Sequence, residues 1–173
     1  MWNDQQKDAL RQVDKWFTEY KTSRGRTGKQ VFYLAGYAGT GKTTLAKHFA
    51  EGTDEPMFAA FTGKAALVMR KSGCIGARTI HSLIYRVDED KKTGEVNFIL
   101  NSSSDLRQAD LLIIDECSMV NKEIGKHLLS FGKPILVLGD PAQLPPIDGA
   151  GFFTEQKPDI MLTEIHRQAA DSP

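Results

Sequence analysis

The chain has 173 residues, 40% of them hydrophobic and 25% charged, a composition that excludes a disordered or collagen-like protein and fits one globular domain. Lys and Arg total 22 and Asp and Glu total 22, so no global field draws the protein onto nucleic acid or an anionic membrane, and any such binding must be local. The two cysteines, Cys74 and Cys117, fall in no Cys-x-x-Cys spacing, which argues against a zinc or disulfide framework and fits a reducing cytoplasm.

Through residues 3–20, Leu10, Val13, Phe17 and Tyr20 recur at helical spacing, with Trp16 widening the stripe, so the sequence predicts an amphipathic helix. Residues 21–29 read as a connector, after which Val31 to Ala35 is short, apolar and β-prone. Glycines then give way to a predicted helix over 42–51, an apolar stretch over 57–61 and a helix over 64–71. Residues 86–100 break the rhythm with a charged run, Thr93-Gly94, and the alternating Val96, Phe98 and Leu100, which predicts an exposed inserted hairpin. Apolar runs at 111–114 and 134–138 flank a predicted helix over 122–131, and 160–162 supplies one more strand. This alternation predicts a single α/β domain, a mostly parallel sheet with helices on both faces. No apolar run approaches the roughly 20 residues of a membrane span, and the first 15 residues are polar rather than signal-like.

Gly36-Tyr37-Ala38-Gly39-Thr40-Gly41-Lys42-Thr43 fits G-x-x-x-x-G-K-[ST] between a predicted strand and a predicted helix, the context of a phosphate-binding loop and of the P-loop NTPase fold. There, backbone N–H groups and the helix N-terminus hold phosphate, Lys42 neutralises the β and γ oxygens, and Thr43 ligates magnesium. Gly36, Gly39, Thr40, Gly41, Lys42, Thr43 and Thr44 are accordingly expected at ATP. Asp115-Glu116 closes another apolar run, placing Asp115 to hold Mg2+ and Glu116 to act as general base or simply to cap the next segment. Gly139-Asp140-Pro141-Ala142-Gln143-Leu144-Pro145-Pro146 ends a further strand with a carboxylate and an amide on the same ligand-facing edge.

With these motifs the chain resembles a superfamily-one DNA helicase of the RecD-like and Dda-like group, and specifically its N-terminal RecA-like ATPase domain. Phe61 to Ala66 resembles motif Ia, Thr79 to His81 motif Ib, Asp115 to Ser118 motif II and Leu162 to Gln168 motif IV, all in the family order. The resemblance implies a 5′ to 3′ motor in which Gln143 senses the γ-phosphate, Arg167 reaches it, and Gln6 recognises adenine. It also implies that Thr62, Lys64, Thr79 and His81 lie against the backbone of single-stranded DNA.

Each has a plainer reading. Asn3 and Gln6 satisfy capping-box spacing, Thr62 and Thr79 suit helix caps, His81 suits a core, and Arg167 suits a surface ion pair. His48 and His127 lack partners at metal spacing and read as solvent or interface residues. The hairpin reads first as a solvated surface element; few of its side chains suit stacking on a base to split a duplex, with Phe98 the best candidate. DNA affinity would need Lys64, Arg70 and Lys71 to cluster on one face.

The sequence ends soon after motif IV, with no second α/β block. The expectation is therefore a first lobe whose partners are single-stranded DNA, the second RecA-like lobe and a nuclease or a replication or repair complex, with no membrane. Two other readings remain open on sequence: a nucleotide-gated binding module without turnover, and a P-loop kinase for a small molecule.

Overall fold

Helix α1 (Asp4–Ser23) opens on a capping box. Asn3 Oδ1 accepts the Gln6 N–H at 2.7 Å and Gln6 Oε1 accepts the Asn3 N–H at 2.9 Å, so two of the donors left over at the helix start are satisfied reciprocally. Its buried stripe runs Gln6, Ala9, Val13, Trp16, Tyr20. Leu10 and Phe17, expected at the stripe's centre, only flank it, because the small Ala9 lets the helix approach the sheet closely. Arg24, with φ 57, ends the helix by donating its N–H to Lys21 O.

The computed structural model describes residues 1–143 and 151–165. Strands β1 (Val31–Gly36), β2 (Pro56–Ala60), β3 (Arg78–Thr79), β6 (Leu111–Asp115), β7 (Ile135–Gly139) and β8 (Ile160–Leu162) form one sheet in the order β3-β2-β6-β7-β1-β8, with every neighbouring pair parallel. Strands covered on both faces need apolar residues in unbroken runs, as in Leu111 to Ile114 and Ile135 to Leu138, all 0% exposed. Alternate residues serve opposite faces. Phe32, Leu34, Ile113 and Leu136 pack under α1, α2 (Lys42–Glu51) and α3 (Gly63–Lys71), whereas Tyr33, Leu112, Ile114 and Val137 pack under α4 (Ile80–Ile84) and α5 (Lys122–Leu129). Because all these strands are parallel, their C-terminal ends gather at one edge, where ligands bind in open α/β sheets.

The short β3 and α4 carry no periodicity long enough to be read from sequence. Thr79 Oγ1 accepts the Ser82 N–H at 3.1 Å to start α4, and Ile80, Leu83 and Ile84 are buried. The predicted insertion is an antiparallel pair, β4 (Tyr85–Glu89) and β5 (Val96–Leu100), with Val87 opposite Phe98. Both strands are exposed apart from their roots at Tyr85 and Leu100. Among the described residues no helix is long and apolar enough to cross a membrane.

Candidate active site

The loop from β1 to α2 is shaped by contacts a larger residue would break. A Cβ on Gly36 would lie 2.5 Å from Thr40 Oγ1; one on Gly41, whose φ of 83 is itself left-handed, would lie 2.8 Å from Gln6 Nε2. Thr40 fits beneath the loop, 0% exposed, and both its N–H and its hydroxyl donate to Tyr37 O, at 3.2 and 2.7 Å. Its expected place among nucleotide ligands is thus corrected for both of these donors: they fold the loop. Gln6 braces the loop from below, Nε2 donating to Thr40 O at 3.0 Å while Oε1 stays in the capping box. The amide implied for adenine is 1% exposed and engaged at both ends, which is the geometry of the plainer reading. Its signal was in the sequence: Gln6 heads the stripe that continues through Ala9 and Val13.

Above that frame the donors are open. Helix α2 begins at Gly41 with no side-chain cap and no acid in its first turn, so its leading N–H groups and positive dipole end face the loop's mouth. Gly39 lies exposed on the loop, Lys42 and Thr43 are half-buried and Thr44 is exposed. Thr43 Oγ1 donates to Asp115 Oδ2 at 3.2 Å, across 72 positions of sequence. Two oxygen donors at a helix N-terminus fit Mg2+, which takes few protein ligands and completes its shell with phosphate and water. No larger metal-holding cluster of His, Cys, Asp or Glu occurs among the described residues.

Asp115 Oδ1 accepts the N–H of Glu116 at 2.8 Å. Glu116 itself has φ 57, left-handed backbone that costs a non-glycine residue about 1–2 kcal/mol. Its side chain is exposed and caps nothing, although it stands at the N-cap of the short turn Cys117–Met119. The thiol of Cys117, next in line, is 0% exposed and is pushed up to about 12, first by burial and then by Asp115. It is an inert packing group, not a nucleophile. Beyond β7, Asp140 Oδ1 accepts the Ala142 N–H at 2.9 Å and its carbonyl accepts the Gln143 N–H at 3.0 Å, a turn that leaves Gln143 exposed at the same edge. Arg167 lies outside the described residues.

The residues expected at DNA stand at the ends of β2 and β3, which are paired through Ala60 and Thr79. Thr62 Oγ1 accepts the Ala65 N–H at 3.1 Å and caps α3, as Thr79 caps α4. His81 is half-buried, its ring 5.8 Å from Phe61, 5.5 Å from Tyr85 and 6.4 Å from Phe98. Lys64 is exposed in the first turn of α3 and Lys71 at its end, but Arg70 turns away to donate to Ala77 O at 2.6 Å, so the expected basic cluster is two lysines. Phe98 is 63% exposed. His127 Nδ1 shares a 2.6 Å hydrogen bond with Tyr85 OH. His48 is exposed and tilts against Trp2 at 5.3 Å. Sequence reasoning missed Gln5, whose side chain bonds Thr163 and Glu164; nothing in its spacing points there.

Residues 2–173 match the family model described as AAA domain. The chain is 34% identical over 157 residues to the ATP-dependent RecD2 DNA helicase of Deinococcus radiodurans, covering 84% of this chain and 21% of that protein. It belongs to the RecD/Pif1-like superfamily-one helicases. The ATP-dependent DNA helicase Dda of phage T4 is 33% identical over 153 residues, covering 79% of this chain and 35% of Dda. The crystal structure of a Bacteroides Pif1 helicase in complex with ADP-AlF3 and single-stranded DNA aligns with a TM-score of 0.56 at 27% identity, over 91% of this chain and 43% of that one. The chain thus spans less than half the length of these relatives, and its phosphate loop, Asp115-Glu116 pair and Gln143 turn share one edge of a RecA-like sheet.

Proposed function

We propose that this domain is the ATP-binding and ATP-hydrolysing first lobe of a RecD-like DNA helicase, coupling turnover to 5′ to 3′ movement on single-stranded DNA and to unwinding when a second RecA-like lobe closes on it. The observation that carries this reading is the 3.2 Å Thr43–Asp115 contact beside the uncapped N-terminus of α2. The loop N–H groups of Gly39 and Gly41 and the start of α2, with Thr44, hold the phosphates, and Lys42 neutralises the β and γ oxygens. Thr43 and Asp115 would hold Mg2+, which would supply neutralising charge to the bound phosphates. Glu116 takes the proton of the attacking water, its exposed carboxylate making no cap bond to the turn that follows it. Gln143 senses the γ-phosphate and Arg167 offsets charge developing there. Gln6 acts through the loop it braces.

The ends of β2 and β3 form the DNA side of the same lobe. Thr62, Lys64, Thr79 and His81 hold phosphates without reading sequence, and the ADP-AlF3 and single-stranded DNA bound by the Bacteroides Pif1 helicase support that pairing of ligands. Buried, free Cys74 and Cys117 suit a reducing cytoplasm. A nuclease or a repair or replication complex is the setting such a motor would serve.

The test is phosphate release from Mg-ATP with and without a single-stranded oligonucleotide, beside Lys42→Ala. DNA-stimulated release abolished by Lys42→Ala supports the motor. Nucleotide and DNA binding without release, even with a second lobe supplied, would favour a nucleotide-gated module instead.

A further inference from the structure

Two adjacent glutamines at the head of α1 grip two different parts of the active-site edge. Gln6 holds the phosphate loop through Thr40 O. Gln5 reaches the segment that leaves β8: its Oε1 accepts the N–H of Thr163 at 2.9 Å and of Glu164 at 3.1 Å, and its Nε2 donates to Thr163 Oγ1 at 3.1 Å. These three bonds close 158 and 159 positions of chain onto one side chain. They act where the backbone has just left β8, past the last ladder contact, in which the Tyr37 N–H donates to Leu162 O at 3.4 Å. Thr163 and Glu164 are exposed, and without Gln5 their N–H groups have no other bond within the described residues. The next residue, Ile165, crosses the phosphate loop, its Cγ2 3.5 Å from where a Cβ on Gly39 would stand.

We infer that Gln5 is a positioning residue for the nucleotide site: it clips the strand leaving β8 to the first turn of α1, so that Ile165 is held against Gly39 of the phosphate loop. This rests on the motor-lobe reading, in which the loop beside Ile165 places the reacting phosphate group. Small errors in placing such a group weaken catalysis far more than binding. Gln5 is not needed for the cap of α1, which Asn3 and Gln6 form without it, and it touches no group of the loop itself.

The test compares Gln5→Ala and Gln5→Glu with the unaltered 173-residue chain. A glutamate keeps an acceptor for both N–H groups and lets the Thr163 hydroxyl donate to its second oxygen, so it preserves the clip that alanine removes. In Gln5→Ala, hydrogen exchange at the Thr163 and Glu164 amides quickens about tenfold, kcat for Mg-ATP falls about tenfold and KM stays within about twofold; Gln5→Glu restores all three. Unchanged exchange in Gln5→Ala, an unchanged kcat in a chain that turns over, or a kcat loss that Gln5→Glu does not restore overturns the inference. An unaltered chain without turnover is assayed again with a second RecA-like lobe supplied; silence there counts against the motor reading and not against the clip, which then stands or falls on the exchange rates.

Discussion

The two ends of the ligand-facing edge are built on opposite terms. At the nucleotide end, polar groups are left open to the edge: α2 starts without a cap, Thr43 bonds only to the facing Asp115 among the described residues, and the exposed Glu116 carboxylate caps nothing. At the β2–β3 end, three of the four groups expected to hold DNA are already employed, Thr62 and Thr79 as caps and His81 in an aromatic cluster. A group the fold does not use is evidence for a ligand in a way that a capping hydroxyl is not, since the cap alone accounts for the residue.

The sharpest way to test the nucleotide end is to separate strain from chemistry at Glu116. Glu116→Gly is expected to lower phosphate release by about 10²–10⁴-fold, the range of a lost general base. It should also raise unfolding stability by about 1 kcal/mol, because glycine adopts φ 57 freely. Single-turnover release and urea unfolding read the two effects, and a protein destabilised by the change would refute the strain argument. Gly41→Ala is expected to cost about 2 kcal/mol, adding a Cβ 2.8 Å from Gln6 Nε2 on left-handed backbone, and to weaken binding of a fluorescent ATP analogue.

Alkaline titration probes the frame behind this edge. Burial raises Cys117 from its ordinary 9.0 to about 12 and Tyr33 from 10.0 to about 12. The unfolded chain therefore loses these protons first, and the stability they contribute is complete below about pH 9 and is lost as pH rises to about 12. Cys117→Ala should flatten that decline in urea midpoints measured from pH 8 to 11; an unchanged slope would assign it elsewhere. The smallest effect belongs to the DNA end. Thr62→Ala should cost about 1 kcal/mol by removing the cap of α3, whereas Thr62→Asp keeps a good cap while setting a negative charge against phosphate. Stability retained in Thr62→Asp with DNA stimulation lost would give Thr62 both roles; stimulation retained would leave it a cap alone.

Much of this was legible in the sequence. The apolar runs at 111–114 and 134–138, set in the alternation of elements, were readable as strands of a parallel sheet with helices on both faces, and a Gly-rich loop ending in Lys42-Thr43 between a strand and a helix was readable as a phosphate loop. Those signals are local: they depend on the period of side chains along one element and on the backbone freedom of glycine. Asn3 and Gln6 were also readable as a capping box, and the structure makes that box the foot of the phosphate loop.

What the sequence could not decide were matters of which side chain meets which across the fold. That Thr40 turns inward, that Arg70 bonds Ala77 rather than joining Lys64 and Lys71, that His127 pairs with Tyr85, and that Gln5 rather than a residue of the loop holds Thr163 all depend on distances between elements. Periodicity and motif spacing fix which residues face the sheet and which residue types line its edge. Partners 158 positions apart are chosen only when the parallel sheet brings the end of β8 alongside the start of α1, and that is a property of packing, to which no local pattern refers.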